Sequence, residues 1–127
     1  MSYTVSPTAE LKLDWVVREL QRISDAIQYP EMPISITSAA DDTTPSVLNA
    51  RILYLPANTG ATAITQLDDG LPDQVITLIM TSSTNSATIA DSGNFRLSAA
   101  WSPDVDDTLT LTTDDGATWR EIARSAN

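Results

Sequence analysis

The chain has 127 residues, 42% of them hydrophobic and 19% charged, which is enough for one buried core and too little for two domains of ordinary size. Seven basic residues stand against seventeen acidic ones, for a net charge of −10, and there is neither histidine nor cysteine. Such a balance argues against binding a phosphate backbone or an anionic lipid surface, and the composition removes disulfides, thiolate nucleophiles, imidazole bases and the usual zinc ligands.

The charge is unevenly placed. Residues 1–30 sum to −1 and the remainder to −9, so the acid belongs to the C-terminal part. The start, Met-Ser-Tyr-Thr-Val-Ser-Pro, lacks the basic and apolar runs of a signal peptide, and no apolar stretch approaches membrane-spanning length. A soluble protein without a membrane partner is expected.

In chain order, the first signal is a helix over residues 6–28. Ser6 suits the N-cap, Pro7 the first helical position and Glu10 the first turn, while Tyr29-Pro30 and Pro33 end it. Inside it Leu13, Val16, Leu20, Ile23 and Ile27 recur at spacings of 3, 4, 3 and 4, an a/d heptad seam. Leucine or isoleucine at a (Leu13, Leu20, Ile27) and β-branched residues at d (Val16, Ile23) disfavour a parallel dimer and favour a homotrimer, with these five residues as its oligomer interface. The competing reading is an amphipathic helix lying on its own β-domain, which Trp15, off the seam, would support. A helix of this length spans about 33 Å and is marginal alone; it would serve as a short stem.

Residues 31–50 hold Pro33 and Pro45 among many Ser, Thr and Asp residues and read as a linker with room for one short strand near Ile34-Ser35-Ile36. From Arg51 to Asn127 short β-prone runs alternate with turn formers. The runs are 51–55, 74–80, 87–89, 95–97, 108–112 and 119–123; the turns include Asn58-Thr59-Gly60, Asp68-Asp69-Gly70, Asp91-Ser92-Gly93-Asn94 and Asp114-Asp115-Gly116. This spacing predicts a β-domain over 51–127 of roughly six to eight strands. Val75–Met80 is apolar on both faces, as a central strand or a subunit interface would be. Thr108, Thr110 and Thr112 share one face opposite Leu109 and Leu111, as in a half-exposed strand. Trp119 and Ile122 differ in parity, so a bulge near Arg120-Glu121 is needed to bring them to one face. The expected class is mainly β: an N-terminal coiled-coil helix followed by an antiparallel β-sandwich or jelly-roll-like domain, or an intertwined trimeric β-domain.

The stretch Thr88-Ile89-Ala90-Asp91-Ser92-Gly93-Asn94-Phe95-Arg96-Leu97, then Asp107-Thr108-Leu109-Thr110-Leu111, then Asp115-Gly116-Ala117-Thr118-Trp119-Arg120-Glu121-Ile122-Ala123-Arg124-Ser125, resembles the C-terminal β-domains of short appendage, fibre and capsid-decoration proteins of tailed bacteriophages. The resemblance covers about residues 71–127; Ala99-Ala100 stands where a glycine before Trp101 is expected. It implies a non-catalytic structural component of a virion, with a stem that fixes three-fold symmetry and with other capsid or tail proteins as partners. The alternative is a receptor- or glycan-binding module of a tail fibre, with a host-surface glycan as partner. A third reading is a cellular β-domain adaptor.

Candidate chemistry is sparse. A carboxylate-pair hydrolase needs two suitably spaced acids, but here the acids form adjacent pairs at turns: Asp41-Asp42, Asp68-Asp69, Asp106-Asp107 and Asp114-Asp115. Neither Asp104-Val105-Asp106-Asp107 nor Asp68-Asp69 with Asp73 has the full spacing of a calcium loop. Trp101 and Trp119 would suit sugar stacking if exposed, although large aromatics more often pack in a core. No catalytic residue, cofactor or metal site is therefore expected.

Overall fold

Alternation of apolar and polar residues in short runs builds one sheet. The computed structural model describes residues 34–127, in which six strands form: β1 (Ser35–Thr37), β2 (Ile52–Leu55), β3 (Val75–Met80), β4 (Phe95–Arg96), β5 (Thr108–Thr113) and β6 (Trp119–Ser125). No helix occurs among the described residues. The proposed coiled-coil seam, Leu13, Val16, Leu20, Ile23 and Ile27, lies outside them.

The strands join in the order β1-β2-β3-β5-β6-β4. Pairing is antiparallel for β3 with β5 and β5 with β6, but parallel for β1 with β2, β2 with β3 and β4 with β6. The protein is thus mainly β, as expected, but the sheet is mixed where an antiparallel one was expected. A period of two is the same for both pairings, so it does not reveal strand direction.

Parallel neighbours need long crossovers. The chain from β1 to β2 and from β2 to β3 steps twice in the same direction, and with the usual right-handed crossover both connections fall on one face of the sheet. In α/β proteins such crossovers are helical; here they are irregular and drop single apolar residues onto the sheet. Val47 and Ala50 come from the first connection, Ile64 and Leu67 from the second, and Ala87, Ile89, Leu97 and Trp101 from the chain around β4. All are buried in one cluster with Leu53, Leu55, Ile76, Leu78, Met80, Leu109, Leu111 and Trp119. Residues 31–50, read as a linker, therefore contribute a strand and two core residues to the domain.

The covering layer is stitched by isolated pairings, Ser46 with Asp68, Ala63 with Thr88 and Ile89 with Trp101. In the last, Ile89 and Trp101 exchange N–H···O bonds of 2.9 and 2.8 Å. Gln74 bolts the first crossover to β3: its amide nitrogen donates to the carbonyls of Val47 (2.8 Å) and Ala50 (2.7 Å), while its amide oxygen accepts from the Leu71 N–H. Asn58, 6% exposed, accepts at Oδ1 from the Asp41 N–H and donates from Nδ2 to the Asn85 carbonyl; Asn85 in turn donates to the Asn58 carbonyl. A buried amide satisfied at both ends fixes the relative position of three loops.

The turns Asp68-Asp69-Gly70 and Asp114-Asp115-Gly116 meet back to back. A Cβ on Gly70 would lie 2.3 Å from the Gly116 carbonyl oxygen and 2.8 Å from Trp119 Cζ2, so glycine is required by space. Gly116 adds a φ of +81°. Beneath them Trp119 is fully buried, and among the described residues its Nε1–H meets no acceptor.

Candidate functional site

The acidic residues are the first candidates, and the structure gives most of them a local duty. Every non-glycine residue with positive φ among those described is Asp or Asn: Asp41, Asn49, Asp69, Asp73, Asn85 and Asp106. These are the side chains that tolerate the left-handed region. Asp41 accepts from the Thr59 hydroxyl (2.7 Å) and the Thr59 N–H (2.8 Å), which hold its carboxyl below the usual carboxylate range. Asp115 accepts from the Thr118 and Ala117 N–H groups, both at 2.8 Å, and is lowered by them. Asp107 is lowered by the N–H groups of Asp104 and Asn127. Asp69 accepts from Ser46, Asp91 from the Leu97 N–H, and Asp114 pairs with Arg120 at 3.0 Å. Asp41, Asp107 and Asp115, held ionised and occupied by turn donors, are poor general acids. Among the described residues no three Asp or Glu side chains converge as a metal site would need.

The indoles are the second candidates. Trp101 is 3% exposed and Trp119 fully buried, so neither offers a ring face for a sugar to stack on.

A polar pair that the sequence reading missed sits at the margin of the core. Strand β6 carries one extra residue: Glu121 lies opposite Leu111, but the next pairing is Ala123 with Thr110. Residues three apart on a regular strand face opposite ways. The extra residue instead brings Glu121 and Arg124 to the same side, opposite the buried Leu111 and Leu109. There Arg124 Nε donates to Glu121 Oε2 at 2.7 Å. Glu121 also accepts from the Ser98 N–H (2.9 Å) and hydroxyl, and Arg124 Nη2 donates to the Ala99 carbonyl (2.8 Å). The pair clamps residues 98–100 onto the edge of the sheet. The hydrogen bond from Arg124 is the main cause that holds the Glu121 carboxyl down to about 2, against burial, which opposes it. A bulge was expected here to bring Ile122 inward with Trp119. It lies one residue later and Ile122 points out, 57% exposed, because the inward place goes to the ion pair.

What remains is the sheet face turned away from the core. By register its central rows are Ser35-Ile52-Thr77-Thr110-Ala123 and Thr37-Tyr54-Ile79-Thr108-Ser125. The Ile52, Tyr54, Thr77, Ile79, Thr108 and Thr110 positions are half-buried and Val75 is 47% exposed. Thr77 and Thr110 share a hydrogen bond of 3.0 Å between their hydroxyls, and Thr112 donates to the Gln74 carbonyl. The hydroxyls of these three threonines thus have partners within the sheet. No carboxylate belongs to an outward position of any strand, whereas residues 34–127 hold twelve carboxylates and four arginines. At the β4–β6 margin Arg96 and Arg120 lie side by side in register. At the N-terminal ends of β2 and β3 an open depression of about 660 Å³ is lined by Arg51, Ile52, Leu71, Asp73 and Val75, among others.

No family model matches the chain, and no curated protein or solved structure matches it. No helix among the described residues is long and apolar enough to cross a membrane.

Proposed function

We propose that the chain is a non-catalytic structural protein of a tailed-bacteriophage virion, working as a homotrimer in the role of a capsid-decoration protein or short fibre. The observation that carries the structural role is the use the β-domain makes of its own chemistry. Most carboxylates serve turns, Trp101 and Trp119 fill the core, and no carboxylate stands on the open sheet face. Trimerisation rests on the seam Leu13, Val16, Leu20, Ile23 and Ile27, and the virion setting on the resemblance of residues 71–127. Connections of the same chain already cover the inner face of the single mixed sheet, which argues against an intertwined trimeric β-domain and leaves no second sheet for a sandwich. Buried Trp101 and Trp119 count against the glycan-binding alternative.

Light scattering over a concentration series tests this reading. The full chain is expected at three times its 13.7 kDa mass, and Leu20→Asp, which puts a charge into the seam, is expected to be monomeric with the β-domain intact by circular dichroism. A wild-type protein that is monomeric at every concentration overturns the trimer.

A further inference from the structure

We infer that the outward sheet face of one copy packs against the next copy of this chain in the assembled trimer, so that the β-domains, and not the stem alone, form the subunit interface. The inference rests on the homotrimer proposed above. Three observations select a second copy as the occupant.

The first is desolvation. Around the Thr77–Thr110 pair the face offers the side chains of Ile52, Tyr54 and Ile79, and the hydroxyls of Thr77, Thr110 and Thr112 already have partners within the sheet. Covering it costs few unmade hydrogen bonds.

The second is charge. A partner copy is as acidic as this one, and two such domains approach with least repulsion where neither shows a carboxylate.

The third is reach. Eight positions separate Ile27, the last seam residue, from Ser35, where β1 begins. Whatever its path, that chain spans at most about 28 Å, close to the width of a six-stranded sheet, about 24 Å at the usual strand spacing. Copies joined by the seam hold their β-domains at the millimolar effective concentration of a short tether, where a modest contact suffices.

The native chain has no cysteine, so one introduced thiol reports on one place. The test uses full-length Thr110→Cys, at the centre of the face, and Val105→Cys, on a loop and 41% exposed, each alone and combined with Leu20→Asp. The Thr110→Cys trimer is expected to react with a thiol reagent at least tenfold more slowly than its Leu20→Asp counterpart, with no such difference for Val105→Cys. As a second measure, Ile79→Lys is expected to raise at least tenfold the concentration at which the trimer dissociates. A trimer whose Thr110→Cys reacts as fast as the Leu20→Asp form overturns the inference and leaves the stem-held trimer standing. Protection that persists in the Leu20→Asp monomer means that the chain covers its own face, which also overturns it. A wild-type monomer removes the trimer itself.

Discussion

On its inner face the sheet presents Leu53, Ile76, Leu78, Leu109 and Leu111, each wholly buried, whereas the residues between them on the same strands, Ile52, Thr77, Ile79 and Thr110, stay partly open. The two faces share every backbone hydrogen bond, so they differ in their side chains and in what covers them. Leucine and isoleucine inside supply the burial on which folding depends. Threonine outside keeps the β-branched preference for a pleated backbone while adding little apolar surface to be hidden. The inner face is therefore committed to the fold, and the outer one is free to serve assembly. Substitutions on the two should separate accordingly.

The largest effect is expected inside. Leu78→Ala on the central strand should destabilise the domain by about 2–5 kcal/mol, a large share of the 5–15 kcal/mol typical of a whole domain. Urea unfolding followed by the fluorescence of the buried indoles measures it; a loss below about 1 kcal/mol would show that the covering layer is loosely packed. Next comes Gly70→Ala, whose Cβ would stand 2.3 Å from the Gly116 carbonyl oxygen. Backbone, not a yielding side chain, must move, so a cost of about 1–3 kcal/mol is expected. Gly60→Ala is its control: nothing lies within 4 Å of the added carbon, and the same assay should find it neutral or slightly stabilising.

Much of the sheet was legible in the residues. Strands β2, β3, β5 and β6 lie where alternation and Asp-Gly turns put them, and Thr108, Thr110 and Thr112 share the half-exposed face that their spacing requires. Direction was not legible, because Ile52–Leu55 alternates identically beside a parallel or an antiparallel neighbour. Nor was the covering layer: Val47, Ala50, Ile64 and Leu67 stand in irregular segments with no period to betray them. Of the candidate chemistry, the turn role of the aspartates could be read from their Gly and Ser neighbours. The Glu121–Arg124 pair could not, since a spacing of three on a strand points to opposite faces until one extra residue intervenes.

That pair gives an intermediate effect at the border between the faces. Glu121→Gln keeps an acceptor for Ser98 but loses the charge opposite Arg124, for an expected cost of about 1–2 kcal/mol near neutral pH. The folded carboxyl titrates near 2, below its ordinary 4.5, so its stabilisation is complete above the ordinary value and is lost as pH falls from about 5 towards 2. The stability difference between wild type and Glu121→Gln should shrink over that window. A difference that stays constant from pH 7 to pH 2.5 would mean that the charge is irrelevant and only shape matters at the clamp.

The smallest effect belongs to the outer face. Thr110→Val keeps shape and β-branching and removes one hydroxyl from the 3.0 Å pair with Thr77, leaving the Thr77 hydroxyl to turn elsewhere. A cross-strand pair of this kind is worth about 0.2–1 kcal/mol, so the domain of a Leu20→Asp monomer should lose less than about 1 kcal/mol in urea. The double variant Thr77→Val/Thr110→Val should lose less than the sum of the two single changes, because no hydroxyl is then left without its mate. In the proposed trimer the sign should reverse, since two more methyl groups would be covered if copies meet on this face. If the double variant instead weakened the trimer as much as Ile79→Lys, the threonine hydroxyls would be bonding across the subunits, and the outer face would be a polar joint and not an apolar one.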